Sequence, residues 1–493
     1  MAYRDLRHFL EVLESKGELK RIAAPVSPLL EVAEWADRAV KSPMGGPALL
    51  FEKVEGSTVP LLINTYATPA RMALSLEVPT LPDLTAKMED LLGPALHPPK
   101  GGLWEKLKLI PKLLEYGAAI PKSVSTGPVK EVVDKETPSF ERFPVIQCWP
   151  KDAGKYITFG CVFTKDPESG KRNCGVYRMQ VFDARTCAMH WHPHKDGARH
   201  FGKSRKAGKR MEVAVAIGPD PAVAFAAVCP LPPDVDEMMF AGLIAGEPVR
   251  LVKCETVDIE VPANAEIVFE GYLDPDELRL EGPFGDHTGY YSLADRFPVF
   301  HLTCVTHRRD PIYQTTIVGP PPMEDGVMGY AIERLFLPLL RMQIPEIVDM
   351  HMPVEGCFHN LVLVSIRKRY PGHARKVMHA IWGMGQAMFT KVIVVMDEDV
   401  DVQDPREVCW KALNHIDPER DIEFAHGPMD ILDHAARASC YGSKMGIDAT
   451  RKLPEEGHVR EWPDEIVMSP EVKAIVDRKW GEVFGPGLDN DKA

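Results

Sequence analysis

The sequence predicts an α/β plus β protein: an N-terminal α/β domain, a central β-rich domain and a C-terminal α/β domain. Three observations carry this. Apolar residues at helical spacing alternate with short apolar runs near the start, β-rich segments crowd the middle, and helix–strand alternation returns after GPPPMEDG (Gly319 to Gly326). A length of 493 residues suits about three domains.

Leu6, Phe9, Leu10 and Leu13 recur three and four apart, which predicts a first helix stopped by Gly17. Ser27 as cap and Pro28 in the first helical position predict a second, with Leu29, Val32, Ala33 and Ala36 as its apolar stripe. Ala48 to Phe51 and Leu61 to Ile63 read as buried strands. From Gly93 to about Lys130, proline and glycine flank one amphipathic helix, which reads as a linker closing a first domain at residues 1–125. Between 126 and 315, YITFGCVFT, CGVYRMQVF, MEVAVAIG, AEIVFEGYL and PVFHLTCVTHRRDPIYQTTIV predict short strands of a small barrel or sandwich. Residues 316–493 return to βαβ texture, with a helix around His373 to Met388, a strand Lys391 to Met396, and a helix opened by the Asp404–Pro405–Glu407 capping pattern.

Composition excludes several classes. With 45% hydrophobic residues the chain is not globally disordered, and 58 basic against 71 acidic side chains, net −13, disfavours a nucleic-acid coat or an anionic membrane surface as main partner. The longest stretch free of charged side chains, Gly56 to Ala70, falls short of the roughly 18 apolar residues of a membrane span. Acidic residues stand where a signal peptide would be apolar, so a cytoplasmic protein is expected. Ten cysteines include no CxxC pair, and the 13-residue recurrence of Cys148, Cys161, Cys174 and Cys187 reads as coincidence among reduced core thiols.

Two constellations could carry chemistry. His190, His192 and His194 alternate in MHWHPH, so on an extended strand three imidazoles could converge on a metal or anion, although Pro193 interrupts them and a solvated strand edge explains them equally well. In EGPFGDHTGYY (Glu281 to Tyr291), Glu281 and Asp286 are held beside His287 in a glycine- and proline-bound turn. A carboxyl near a second one, or dehydrated, has its pKa raised and can act as a general acid near neutral pH, whereas a plain turn would leave both solvated. The basic run Lys195 to Arg210 holds a single aromatic, Phe201, and reads as a solvated loop. The acidic run Asp397 to Asp404 is no calcium loop, because Val402 stands where glycine is needed. GSKMGIDATRK (Gly442 to Lys452) does not match a phosphate-binding loop, and neither GxSxG nor HExxH is present.

Seven segments together resemble the UbiD-type aromatic acid decarboxylases: YRDLRHFLEVLESKGELKRI, RNCGVYRMQ, VPANAEIVFEGY, EGPFGDHTGYY, PVEGCFHN, MFTKVIVVMDEDVD and GSKMGIDATRK. The likeness spans nearly the whole chain. It implies that the central domain is a split β-barrel like that of flavin reductases, and that a C-terminal helical tail serves oligomerisation, as a homodimer or homohexamer. It implies prenylated FMN made by a separate flavin prenyltransferase, a divalent metal, Mn²⁺ or Mg²⁺, and K⁺. Matched by position, the metal ligands are Asn173, His194 and Glu237, and the catalytic network is Arg178, Glu281 and Asp286. The cofactor contacts are Val176, Tyr177, Arg178, His190, Trp191, His192, Lys195 and a phosphate lysine, Lys391. Where the ubiquinone enzyme has arginines this chain has His190 and Lys195, and a glycine position is Asp196.

The implied reaction is reversible, non-oxidative decarboxylation of a hydroxylated or fused-ring aromatic acid, a quinone precursor or a catabolic phenolic acid, releasing CO₂. Membrane contact is implied only if the substrate carries a prenyl chain. Losing CO₂ from an aryl carboxylate leaves an electron pair in the ring plane, so the chemistry demands an electron sink, with Asp286 as proton donor, Glu281 its partner and Arg178 the orienting cation. Three rivals share these residues: a non-catalytic flavin carrier, a metal-dependent hydrolase active without flavin, and a scaffolding subunit inert alone.

Overall fold

The computed structural model describes residues 3–96, 116–232 and 235–484. Of the expected linker, residues 97–115 lie outside them. Residues 1–369 with 373–450 form one compact unit, and residues 370–372 with 451–493 a second, whose main element is the helix Pro470–Phe484.

The first helix, Leu6–Ser15, buries Leu6, Phe9, Leu10 and Leu13 as their spacing predicts, and the Asp5 carboxylate caps it by accepting the His8 N–H at 2.9 Å. The second begins later than expected, at Glu31–Val40. Ser27 Oγ accepts the Leu29 N–H instead, and the Leu30 N–H donates to Gln147 O at 2.9 Å, with Leu30 at φ 68°. The Ser–Pro signal therefore caps a turn pinned by a distant segment. Strands Ala48–Phe51 and Leu61–Ile63 match the sequence reading, and lie between Leu19–Ile22 and Tyr313–Gln314 in a four-stranded sheet. A segment expected to end the β-rich region thus completes the first sheet.

The central region closes into an antiparallel six-stranded barrel. Going round it, Ile267–Glu281, Met211–Ile217, Tyr156–Lys165, Arg172–Val181, Thr186–Met189 and Asp295–His307 pair in turn, and the last pairs again with the first. Both faces of its strands are apolar because both are covered. Val213, Val215 and Ile217 pack in one cluster with Phe269 and Phe300, while Ala214 and Ala216 pack in another with the helix Pro221–Val228. Phe269 is fully buried, edge-on to Phe140 and Phe143 at 5.1 and 5.3 Å. Phe269→Ala is expected to cost about 3–5 kcal/mol, read as a shift of the urea midpoint at unchanged slope.

The basic run read as a loop is a helix, Asp196–Lys206. It buries His200, Phe201 and Ser204, and Asp196 in its first turn with Lys203, Arg205 and Lys206 in its last complement the helix dipole. Its cations reflect helix polarity and an outward face.

A five-stranded sheet follows in the order Ile347–His351, Leu361–Ile366, Val392–Asp397, Tyr441–Asp448, Ile422–Pro428, with parallel pairings at its centre. The helix expected to reach Met388 ends at Trp382, and a 3₁₀ segment, Gly385–Phe389, takes over. Asp404 caps Pro405–His415 by accepting the Arg406 N–H at 2.8 Å, which accounts for the acidic run. Of the cysteines, all free, only Cys409 is exposed and Cys440 half-buried. Among the described residues no helix is long and apolar enough to cross a membrane.

Candidate active site

The site grows from the Arg172–Val181 strand, which projects Asn173, Val176, Tyr177 and Arg178. At the end of another barrel strand, Ile267–Glu281, the chain turns through Gly282 and Pro283 into a short hairpin, Phe284–Gly285 with Tyr291–Ser292, whose turn carries Asp286 and His287. The glycine of this turn has a reason: a Cβ on Gly285 would lie 2.2 Å from Trp149 Cδ1. Asp152 anchors the same point by accepting the Gly285 N–H at 2.8 Å.

Arg178 organises three acceptors. Its Nε and Nη2 donate to the two Glu281 oxygens at 2.9 and 3.1 Å, Nη1 donates to Asp286 Oδ2, and Nη2 also reaches Ser292 Oγ at 2.9 Å. The guanidinium stacks 4.6 Å over the Phe284 ring. Side-chain exposures of 9% for Arg178, 0% for Glu281 and 8% for Asp286 put these charges in a low-dielectric setting, where pairing matters most.

The electrostatics reverse one expectation. Burial alone would raise the Glu281 pKa, yet hydrogen bonds from His190 and Arg178 hold it below the ordinary carboxylate range. Burial also opposes the charge of Asp286, and the His287 and Arg178 contacts overcome that and hold it well below its usual value. The sequence reading expected proximity and dehydration to keep a proton on an acid here. A cation 103 residues from Glu281 and 108 from Asp286 along the chain decides otherwise.

His190 Nδ1 lies 3.0 Å from Glu281 Oε2. Burial holds this imidazole below its ordinary pKa, so its Nδ1–H donates to the ionised Glu281 and leaves Nε2 as an acceptor. That Nε2 is buried and has no partner among the described residues. Trp191 Nε1 is buried and unpartnered likewise, its ring packed edge-on to Tyr177 at 4.8 Å. The three histidines do not converge as an extended strand would have them, because the strand Thr186–Met189 stops one residue early. His192 stays 5.3 Å from His190, with its pKa lowered to about 4 by burial and by His190, whereas His194 is exposed and lies against Phe389 at 5.2 Å.

Asn173 stands next to Cys174 on the Arg172–Val181 strand, where Glu237 approaches the backbone. Glu237 opens the helix Glu237–Ala245 and accepts the Cys174 N–H at 3.0 Å. Burial raises it to about 7, and no cation pairs with it among the described residues. A buried carboxylate with no cation partner suits a hard divalent ion. Among the described residues no group of three His, Cys, Asp or Glu side chains is poised for a metal. Lys195 Nζ donates to Gln386 at 2.8 Å, and Lys391 pairs with Asp433 at 2.9 Å.

The C-terminal sheet supplies neighbours that the sequence reading left without roles. Phe358 and His359 come within 5.8 and 5.6 Å of the His287 ring, presented by a turn in which Cys357 and Phe358 both have positive φ. Such non-glycine residues are held there by packing, here Phe358 against Gly329. Asp325 and Asp430 act on His287 electrostatically. The signal was present in PVEGCFHN and GPPPMEDG, read only as a likeness and a domain boundary.

A closed barrel carrying a buried arginine–dicarboxylate network beside an α/β sheet defines, with the comparisons, the class of carboxy-lyases. Three family models match in order, the 3-octaprenyl-4-hydroxybenzoate carboxy-lyase N-terminal domain at residues 10–90, the Rift-related domain at 122–321 and the C-terminal domain at 326–449. The chain belongs to the UbiD family. It is 53% identical over 485 residues to an uncharacterized protein of Archaeoglobus fulgidus, covering 98% of this chain and 99% of that protein. Among solved structures it is similar to the UbiD-class enzyme HmfF from Pelotomaculum thermopropionicum in complex with FMN, at TM-score 0.80 and 30% identity over 96% of this chain and 100% of that one. The vanillic acid decarboxylase of Sedimentibacter hydroxybenzoicus in closed form matches at TM-score 0.84 and 27% identity, covering 98% and 99%.

Proposed function

We propose that this carboxy-lyase reversibly and non-oxidatively decarboxylates a hydroxylated or fused-ring aromatic acid, a quinone precursor, using prenylated FMN, a divalent metal and K⁺. The observation that carries the reading is the closed Arg178–Glu281–Asp286 network, with the free Nε2 of His190 beside it. A flavin carrier has no use for such a network.

When bound, the prenylated flavin supplies the electron sink that an aryl carboxylate needs. Val176, Tyr177, Arg178, His190, Trp191, His192, Lys195 and Lys391 would hold it, and the unpartnered His190 and Trp191 nitrogens fit polar groups of a ligand. Asn173 and Glu237, with His194 brought to them, would hold the metal at its phosphate. Glu281 fixes the plane of the guanidinium, Arg178 orients the substrate carboxylate and the acid, and Asp286 returns a proton to the ring carbon. The three-domain division at 1–125, 126–315 and 316–493, self-association through the tail, dependence on a flavin prenyltransferase and a cytoplasmic setting belong to the same reading.

The test is co-expression with a flavin prenyltransferase, followed by an absorbance spectrum, metal analysis and a CO₂-release screen of hydroxybenzoates and naphthoates. A bound chromophore and CO₂ from at least one acid are expected. Activity of flavin-free, Mn²⁺-loaded protein on esters would overturn the reading. Because Glu237 must lose its proton to bind a cation, Mn²⁺ affinity of the purified protein should fall as pH drops through about 7. Glu237→Gln should weaken that affinity and remove most of the pH dependence, as isothermal titration reads directly.

A further inference from the structure

Asp286 is held in a way that conflicts with its task. Its Oδ1 accepts the His287 backbone N–H at 2.8 Å and pairs with His287 Nδ1 at 3.0 Å, while Oδ2 accepts from Arg178 Nη1. An oxygen pair supplied with three donors is a carboxylate at rest, so the proton that replaces CO₂ must be kept elsewhere.

His287 is placed to keep it. On the hairpin itself its partner is Asp286. From the first turn of the helix Glu324–Gln343 comes Asp325, and from the segment after the strand Ile422–Pro428 comes Asp430. His359 faces the ring edge-on at 5.6 Å, and Phe358 covers it at 5.8 Å. Burial pushes His359 down to about 4, so it adds no competing charge near neutrality. Nε2 of His287 is buried and has no hydrogen-bond partner among the described residues.

Resting on the decarboxylase reading, we propose that His287 is the proton store of the reaction, a positioning residue that acts through Asp286. As the bond between ring carbon and carboxylate breaks, its electron pair stays with the ring carbon and CO₂ departs. A proton leaves Nδ1 of the imidazolium for Asp286 Oδ1, and the Asp286 carboxyl delivers a proton to that carbon. The O–H bond breaks as the C–H bond forms, Asp286 is again a carboxylate, and His287 is left neutral. Water recharges the imidazole once product has gone. Nothing is oxidised or reduced. The charge environment agrees: burial opposes the imidazolium, and Asp286, Asp325 and Asp430 overcome it, raising its pKa to about 9.

Two measurements test this. In cofactor-free full-length protein, the His287 imidazole signal, assigned by its absence from His287→Gln, should titrate near pH 9 by NMR, and markedly lower in Asp325→Asn. In wild-type holoenzyme, kcat should fall as pH rises through the same region; His287→Gln should lose about 10²-fold in kcat, with KM little changed, and lose that alkaline limb. Imidazole added to His287→Gly should restore part of the rate. Titration at or below the ordinary histidine value, or a His287→Gln enzyme with near-normal kcat and an intact alkaline limb, overturns the proposal. A wild-type holoenzyme that releases no CO₂ from any acid, with His287 still titrating near pH 9, sinks the decarboxylase reading and the reaction this proton serves. An active wild type with an unaffected variant sinks the proton store alone.

Discussion

Asp286→Asn holoenzyme is expected to keep its chromophore and metal and to lose 10²- to 10⁴-fold in turnover, about 3–5 kcal/mol of barrier. The substitution is nearly isosteric. An Asn oxygen can still accept from Arg178 or from the His287 backbone N–H, so the hairpin between Phe284–Gly285 and Tyr291–Ser292 should stand. The amide cannot carry a proton between His287 and the ring carbon. CO₂ release and the return of hydrogen would therefore separate: deuterium uptake into product, followed by NMR in D₂O, should slow as much as turnover. Near-normal turnover would remove Asp286 from the role. A pH effect on stability accompanies this. The folded-state pKa of Asp286 is depressed, so its stabilising contribution is present above the ordinary carboxylate value and is lost as pH falls below it. The Asn variant should show less of that acid-side loss in thermal melts.

The fold was legible wherever local pattern and tertiary demand coincide. Leu6, Phe9, Leu10 and Leu13 share a helix face and are buried together, and the continuous apolar runs at 48–51 and 61–63 are strands covered on both faces. Local signals failed where a distant partner captured them. Ser27 and Pro28 look like a helix start, but the Leu30 N–H is drawn to Gln147 and the helix waits until Glu31. MHWHPH alternates as a strand would, but the strand ends at Met189 and the imidazoles part company. At the candidate site the loop Glu281 to Tyr291 announces its carboxylates by type and spacing. Their charge state is set by Arg178 on another strand, and the surroundings of His287 by Asp325, Phe358, His359 and Asp430 from the far half of the chain. No window of sequence contains both.

Replacing Arg178 by Met should be the most damaging single change at the site. At neutral pH Arg178 and the His287 imidazolium set two positive charges against the two negative ones of Glu281 and Asp286, with Asp325 and Asp430 adding negative charge on the His287 side. Removing the guanidinium leaves one buried negative charge without a partner, which costs about 3–5 kcal/mol, and turnover should vanish because neither substrate nor acid is oriented. The folded variant escapes part of that cost by taking up a proton, on His190 or on one of the carboxyls. The folded state then binds about one proton more than the unfolded chain, so stability should fall with rising pH by up to about 1.4 kcal/mol per pH unit until that proton leaves. In the wild type the depressed Glu281 and Asp286 have the opposite effect, adding stability as pH rises through the ordinary carboxylate range. Urea melts of the two proteins between about pH 4 and pH 7 should therefore differ in slope, the variant losing stability relative to the wild type as pH rises, because the other titrating groups are common to both. Parallel slopes would mean that Glu281 and Asp286 are not held ionised by Arg178, and the electrostatic account of the site would fail with them.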